Sequence, residues 1–333
     1  MQLLTPTQIE PLKPKIGHSQ RLMVVGSCFA THIGGRLSQM KWRTEVNPFG
    51  VLYNPLSIAE ALTSLLDYHP LTEDELVLFP DGGWNTWLHH SSYSLPERGE
   101  ALAHINTRME RAAQMLGEAD TLIITLGTAW VYRLKEDGRV VGNCHKVPEQ
   151  RFTRQRLMVE DIVGAYDLLF ERLWNANPKL HILFTVSPVR HLKDGLHGNQ
   201  LSKATLLLAV DELCAKYRER VQYFPAYEIV VDELRDYRFY AEDMAHPSPQ
   251  AVDYVWERFV EHCVDAGAQQ FMQQWEKVVH ALEHRPFNAE SEPYQQFVRQ
   301  SLSKITELKE CYPYLEVQGE MERFESQLKP SRV

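Results

Sequence analysis

Three short runs that are apolar on both faces constrain this chain most: Arg21-Leu22-Met23-Val24-Val25, Asp120 to Leu126 and Leu180 to Val186. A strand with no polar face must be covered on both sides, which is the condition of a strand inside a parallel sheet. Helical periodicity lies between them, over Ala30 to Met40, Pro96 to Leu116, Glu160 to Trp174 and Leu201 to Tyr217, with a further short strand at Val221 to Phe224. Repeated βα units joined this way predict an α/β, doubly wound, mainly parallel sheet flanked by helices. Ligands in such sheets sit beyond the carboxyl ends of the strands. Gly26-Ser27, Gly127-Thr128 and Ser187-Pro188 fall at those ends.

Two departures from the repeat are expected. Trp130 to Leu134 and Arg139 to Val141 flank Lys135-Glu136-Asp137-Gly138, an Asp-Gly turn signal that predicts an inserted β-hairpin near the site. After about Gly267, Phe271 to Glu283, Tyr294 to Lys309 and Gly319 to Leu328 read as polar amphipathic helices broken by Pro286, Pro293 and Pro313. The expected organisation is a main domain over 1–266 and a helical C-terminal extension over 267–333. That extension is open to reading as a lid, an arm for self-association or a docking surface, and the oligomeric state stays open.

Charge narrows the function classes. A formal net charge of −9 without a basic cluster argues against nucleic-acid binding, which needs clustered Lys and Arg to neutralise phosphates. No apolar run approaches the roughly 20 residues of a spanning helix, and Met1 to Pro14 has no signal-peptide pattern, so no membrane association is expected. Five dispersed cysteines without a CxxC suggest a reducing, cytoplasmic location.

The chemistry-bearing residues lie at two places. Ser27 stands where a buried strand turns into a helix, which exposes a hydroxyl beside helix N-terminal amides; a plain helix cap is the alternative. Cys28 is the rival nucleophile, expected to pack inward if Ser27 faces the base. Late in the chain, Asp243 and His246 stand three apart in a loop, a spacing that lets carboxylate orient imidazole. The bland reading is a surface pair before a helix capped by Ser248 with Pro249 first. No metal-site spacing, P-loop or GxGxxG is present, and no cofactor is expected.

Gly26-Ser27-Cys28-Phe29-Ala30 spells the signature of the GSCFA family, which is similar to the SGNH (GDSL-like) hydrolase superfamily with its flavodoxin-like sheet. Over residues 20 to 265, the resemblance implies Ser27 as nucleophile and Asp243-Met244-Ala245-His246 as the Asp-x-x-His block. The usual Gly-Asp-Ser is here Gly26-Ser27-Cys28, and Gly127-Thr128-Ala129-Trp130 stands where a Gly-x-Asn-Asp block would supply an oxyanion asparagine. The oxyanion and substrate candidates are therefore the amide after the nucleophile, Cys28, Asn47, Gly50, Asn54, Gly127 and Thr128. His90, His145 and Arg190 are expected at the pocket, the two histidines equally readable as structural. Phe49, Tyr53, Trp84, Trp87, Tyr93, Trp130 and Tyr132 are aromatics near the expected mouth, suited to a sugar ring or to the core.

The expectation is a serine esterase or acyltransferase acting on a small acyl ester, possible substrates including an O-acetyl glycan. The alternative is an inactive domain that binds a ligand or partner.

Overall fold

The structure, a computed structural model, describes residues 5–328. The Met1–Leu4 start and the outer limits of the two predicted units, at 1 and 333, lie outside the described residues. Five strands form the central sheet: β1 (Arg21–Gly26), β2 (Arg43–Val46), β3 (Thr121–Leu126), β4 (His181–Val186) and β5 (Val221–Tyr223). All pair in parallel, in the order β5-β4-β3-β1-β2, the flavodoxin-like arrangement. Alternate residues feed two cores. Met23, Val25, Ile124 and Phe184 meet helices α2 (Pro55–Leu66), α3 (Arg98–Glu118), α4 (Val159–Ala176) and α5 (Gly195–Lys216). Leu22, Val24, Ile123 and Leu183 meet α1 (Cys28–Gln39) and α6 (Pro249–Cys263) on the opposite face.

The register brings the carboxyl ends together. Gly26 pairs with Thr125, and Leu126 with Val186, so the chain leaves β1, β3 and β4 at one level. Connections diverge at β1 and β3, where the strand order switches, and this opens the crevice that holds the site.

The predicted hairpin is present, pairing Tyr132 with Val141 and Arg133 with Val140, but it is part of a three-stranded sheet. The third strand, Phe152–Arg156, pairs antiparallel with Trp130–Leu134 and had no sequence expectation. Nor had β2 and α2. β2 is a polar edge strand whose buried Glu45 takes the Arg108 guanidinium at 3.1 Å, so it lacks the apolar run that marks its neighbours. The start of α2 was readable: Asn54 accepts from the Ser57 amide at 2.8 Å, and Pro55 occupies the first turn.

Helices α7 (Ala266–Glu283), α8 (Glu292–Cys311) and α9 (Gln318–Glu325) enclose a separate core around Phe271, Trp275, Val298, Ile305 and Phe324. This core is tied to the end of α1. Trp275 Nε1 donates to Gln39 O at 2.9 Å, and His18 bridges Met40 O and the Tyr314 hydroxyl, both at 2.9 Å. Trp275→Ala is expected to lower stability by about 3 kcal/mol, through loss of a buried indole and the cavity left behind. A urea midpoint within error of wild type would contradict this. Among the described residues, no helix is long and apolar enough to cross a membrane.

Candidate active site

The site begins where β1 stops. Gly26 has φ +132°, and a Cβ there would lie 2.1 Å from Thr125 O, so only glycine lets the chain turn this close to β3. Asn47 braces the turn: its Oδ1 accepts from the Gly26 amide at 2.8 Å and its Nδ2 donates to Thr31 Oγ1 at 2.9 Å. Ser27 is the N-cap of α1 with extended backbone, and its hydroxyl makes no cap bond. The side chain is 1% exposed, and Oγ has no hydrogen-bond partner. Cys28, the first helical residue, is half-buried and lines a cleft of about 550 Å³.

This overturns the expected orientation of the pair. Cys28 does not pack inward; its Sγ lies 3.9 Å from His246 Nε2, whereas Ser27 is enclosed beneath the turn.

His246 is held by its own loop. Asp243 Oδ1 accepts from the amides of Ala245 and His246, each at 2.9 Å, while Oδ2 takes the imidazole Nδ1–H at 2.6 Å. Met244 at φ 56° makes this turn possible. The loop is pinned by Ala241 N to His246 O at 2.8 Å and by Arg190 N to Ala245 O at 3.0 Å. The amides of His246 and then Ala245, with the imidazole, pull the Asp243 carboxyl down to about 2. With Nδ1 protonated toward the carboxylate, Nε2 presents a lone pair to the sulfur. Ser248 caps α6, accepting from Ala251 N at 3.3 Å, with Pro249 at the first position, so the capping reading holds alongside the pairing.

Opposing influences set the Cys28 thiol. Burial raises its pKa above the ordinary value, while the amides of Cys28 and Phe29, the Tyr53 hydroxyl and the Lys203 ammonium lower it. Tyr53 is itself pushed up to about 12, by burial and then by the neighbouring sulfur. The resting group is a thiol with a base at hand.

The other expected residues divide. Asn54, Thr128 and Arg190 line the cleft. Gly127 and Thr128 both give their amides to Tyr53 O, at 2.8 and 2.9 Å, and Asn54 spends its side chain on Ser57. Those two amides are not free for an oxyanion, whereas the Asn54 carboxamide spends one of its two N–H groups on Ser57. The amide of Cys28, first in α1, has no helical acceptor, as at any helix start.

Asn47, Gly50, His90 and His145 fall outside the cleft lining. Gly50, at φ +75°, packs so close to His90 that a Cβ would meet the histidine's Cβ at 2.3 Å. His90 Nδ1 pairs with Ser92 Oγ at 3.0 Å. His145 is 2% exposed, stacks on Phe79 and bonds Thr86 O through Nε2 at 2.9 Å. These are structural roles. Among the aromatics, Tyr53, Trp130 and Tyr132 line the cleft, while Phe49 and Tyr93 are core.

Sequence reading missed Arg154, which arrives on the unexpected third strand and stacks over Trp130 at 4.3 Å. Its only signal is the alternation in Phe152-Thr153-Arg154-Gln155-Arg156. Among the described residues, no group of three or more His, Cys, Asp or Glu side chains is arranged to hold a metal ion.

A family model described as the GSCFA family matches residues 21–259, and a second, described as GSCFA domain protein, C-terminal domain, matches 275–330. Among solved structures, an acetyl xylan esterase (Est2A) from the rumen bacterium Butyrivibrio proteoclasticus is similar at 14% sequence identity and a TM-score of 0.34. The likeness covers 73% of this chain and 63% of that one, so the chain spans less than two thirds of the esterase's length. No curated protein matches.

Proposed function

We propose that this chain, which belongs to the GSCFA family, catalyses acyl transfer through a thiol nucleophile at Cys28, with His246 as general base and Asp243 as its orienter. The observation that carries this reading is the approach of Cys28 Sγ to His246 Nε2 at 3.9 Å, with Asp243 on the far nitrogen at 2.6 Å. The separation closes by a few tenths of an ångström as substrate binds, as catalytic hydrogen bonds commonly do.

In the proposed reaction, His246 Nε2 takes the thiol proton as sulfur attacks the acyl carbonyl, and Asp243 stabilises the imidazolium. The oxyanion forms beside the start of α1, where the Cys28 amide and the helix dipole favour negative charge. Collapse expels the leaving group, which takes the proton from His246, and leaves an acyl-cysteine. Water or an acceptor hydroxyl, deprotonated by His246, then removes the acyl group. The substrate is a small ester or thioester. Among the described residues, every one that lines the cleft precedes position 247, and none belongs to α7, α8 or α9.

The test is mass analysis of protein quenched during turnover of p-nitrophenyl acetate. A single acetyl adduct, labile to hydroxylamine and mapping to the Cys28 peptide, is expected. An adduct on Ser27, or none with turnover present, would refute the thiol mechanism.

Two further outcomes follow from the geometry. Asp243→Asn is expected to lower kcat by about 10² to 10³-fold through loss of the imidazole tautomer, with KM little changed. Because its carboxyl sits at about 2, Asp243 adds no inflection to the wild-type pH–rate profile above pH ~3. Arg190 forms no ion pair among the described residues and stacks over Tyr240 at 4.0 Å. Arg190→Ala is therefore expected to raise KM for carboxylate-bearing esters by about tenfold while sparing neutral ones. Equal effects on both would remove Arg190 from substrate recognition.

A further inference from the structure

Lys203, on α5, is 1% exposed, and no carboxylate pairs with it among the described residues. A lysine with that burial is rare unless it is paired. Its Nζ instead donates to two carbonyls, Gly127 O at 2.6 Å and Ser187 O at 2.7 Å. Those oxygens belong to the first residues after β3 and β4, so one ammonium ties together the two strand ends just before Thr128 and Val189, which line the cleft. Its titratable or polarisable neighbours are Cys28 from α1, His191 from the loop after β4, and Tyr227, whose ring lies 5.9 Å from Nζ.

We propose that Lys203 is a positioning residue whose buried positive charge favours the thiolate of Cys28 during acyl transfer. The proposal rests on the thiol mechanism above. A structural tether alone would not need a charge: a glutamine or a water could bridge two carbonyls without the cost of burying an ammonium. The charge acquires a purpose once negative charge develops at the neighbouring sulfur. The electrostatics run the same way, since the ammonium lowers the Cys28 pKa and the thiolate raises that of Lys203. Burial, partly offset by Cys28, draws Lys203 down to about 7, so the charge is present below that pH and fades above it. His191, lowered to about 4 by burial and by Lys203, stays neutral beside it, so of these neighbours the sulfur is the one on which acyl transfer develops negative charge.

The test is alkylation of Cys28 by iodoacetamide, which needs only the thiolate and no acyl substrate. The rate is followed by mass from pH 6 to 9.5 in wild type and in Lys203→Met. The wild-type rate is expected to exceed the variant's by about tenfold near pH 6, with the two converging above pH ~9 as the ammonium is lost. A merely structural lysine gives a ratio that does not change with pH, and that result overturns the proposal. If Lys203→Met does not fold, His246→Ala with Lys203 intact decides the matter. Its log rate should rise with pH, flatten just above pH ~7 where Lys203 discharges, and rise again. A straight unit slope overturns it. A Cys28 that is inert at every pH in wild type sinks the thiol mechanism itself, an outcome distinct from a reactive Cys28 that ignores Lys203.

Discussion

Cys28→Ala is expected to lower kcat/KM for acyl esters by about 10⁴-fold or more, to the level left by binding and oxyanion contacts alone. Ser27→Ala is expected to keep turnover within about threefold of wild type and stability within ~1 kcal/mol, because it removes a buried hydroxyl that has no partner. The contrast is sharp because the two residues are adjacent. A fold defect introduced at this turn would affect both variants, whereas loss of the nucleophile affects one. Parallel steady-state kinetics on the two proteins, each checked for a wild-type urea midpoint, reads the difference. Loss of turnover in Ser27→Ala with retention in Cys28→Ala would return the nucleophile to the serine.

The difficulty of that assignment from sequence is physical. Apolar strand, glycine and helix period locate the turn at Gly26 to Phe29 correctly, because burial and helical periodicity act over many residues. Which of two neighbouring side chains faces the base depends on single dihedral angles: with Gly26 at φ +132° and Ser27 at φ −68°, ψ 176°, the hydroxyl is buried and the thiol lines the cleft. No periodicity encodes that. The Asp243–His246 loop was more legible, since a three-residue spacing closed by a left-handed Met244 brings carboxylate to imidazole within one turn of chain.

His90 and His145 show the opposite limit. Their residue type invited a pocket role, but each finds its partner within the insert between α2 and α3 or beside it, at Ser92 and Thr86. Arg154 went unread because its strand is half-exposed and polar, and it reaches the cleft only through antiparallel pairing with Trp130–Leu134. Strands buried on both faces announce themselves in sequence; those that build the rim do not.

The turn that presents Cys28 is also where the fold tolerates least, and Gly26→Ala is expected to be the most damaging single substitution in the main domain. An added Cβ would stand 2.1 Å from Thr125 O, 2.8 Å from Thr125 C and 2.9 Å from Thr125 N, all backbone atoms of the adjoining strand. No rotamer change relieves this, and φ +132° is strained for any L residue. Relief requires β1 to separate from β3 where Gly26 pairs with Thr125, at the centre of the sheet. The expected cost is above ~4 kcal/mol, a large share of the ~5 to 15 kcal/mol that keeps a domain folded. The variant should accumulate as insoluble protein or unfold at far lower urea than wild type. Gly35→Ala supplies the control: it lies in α1 with nothing within 4 Å of the new methyl, and should gain up to ~1 kcal/mol from helix propensity. A soluble Gly26→Ala with a wild-type midpoint would mean that β1 and β3 do not approach as described. The position of Cys28 would then have to be reconsidered with them, because the contact that excludes a side chain at 26 also sets the direction in which the chain enters α1.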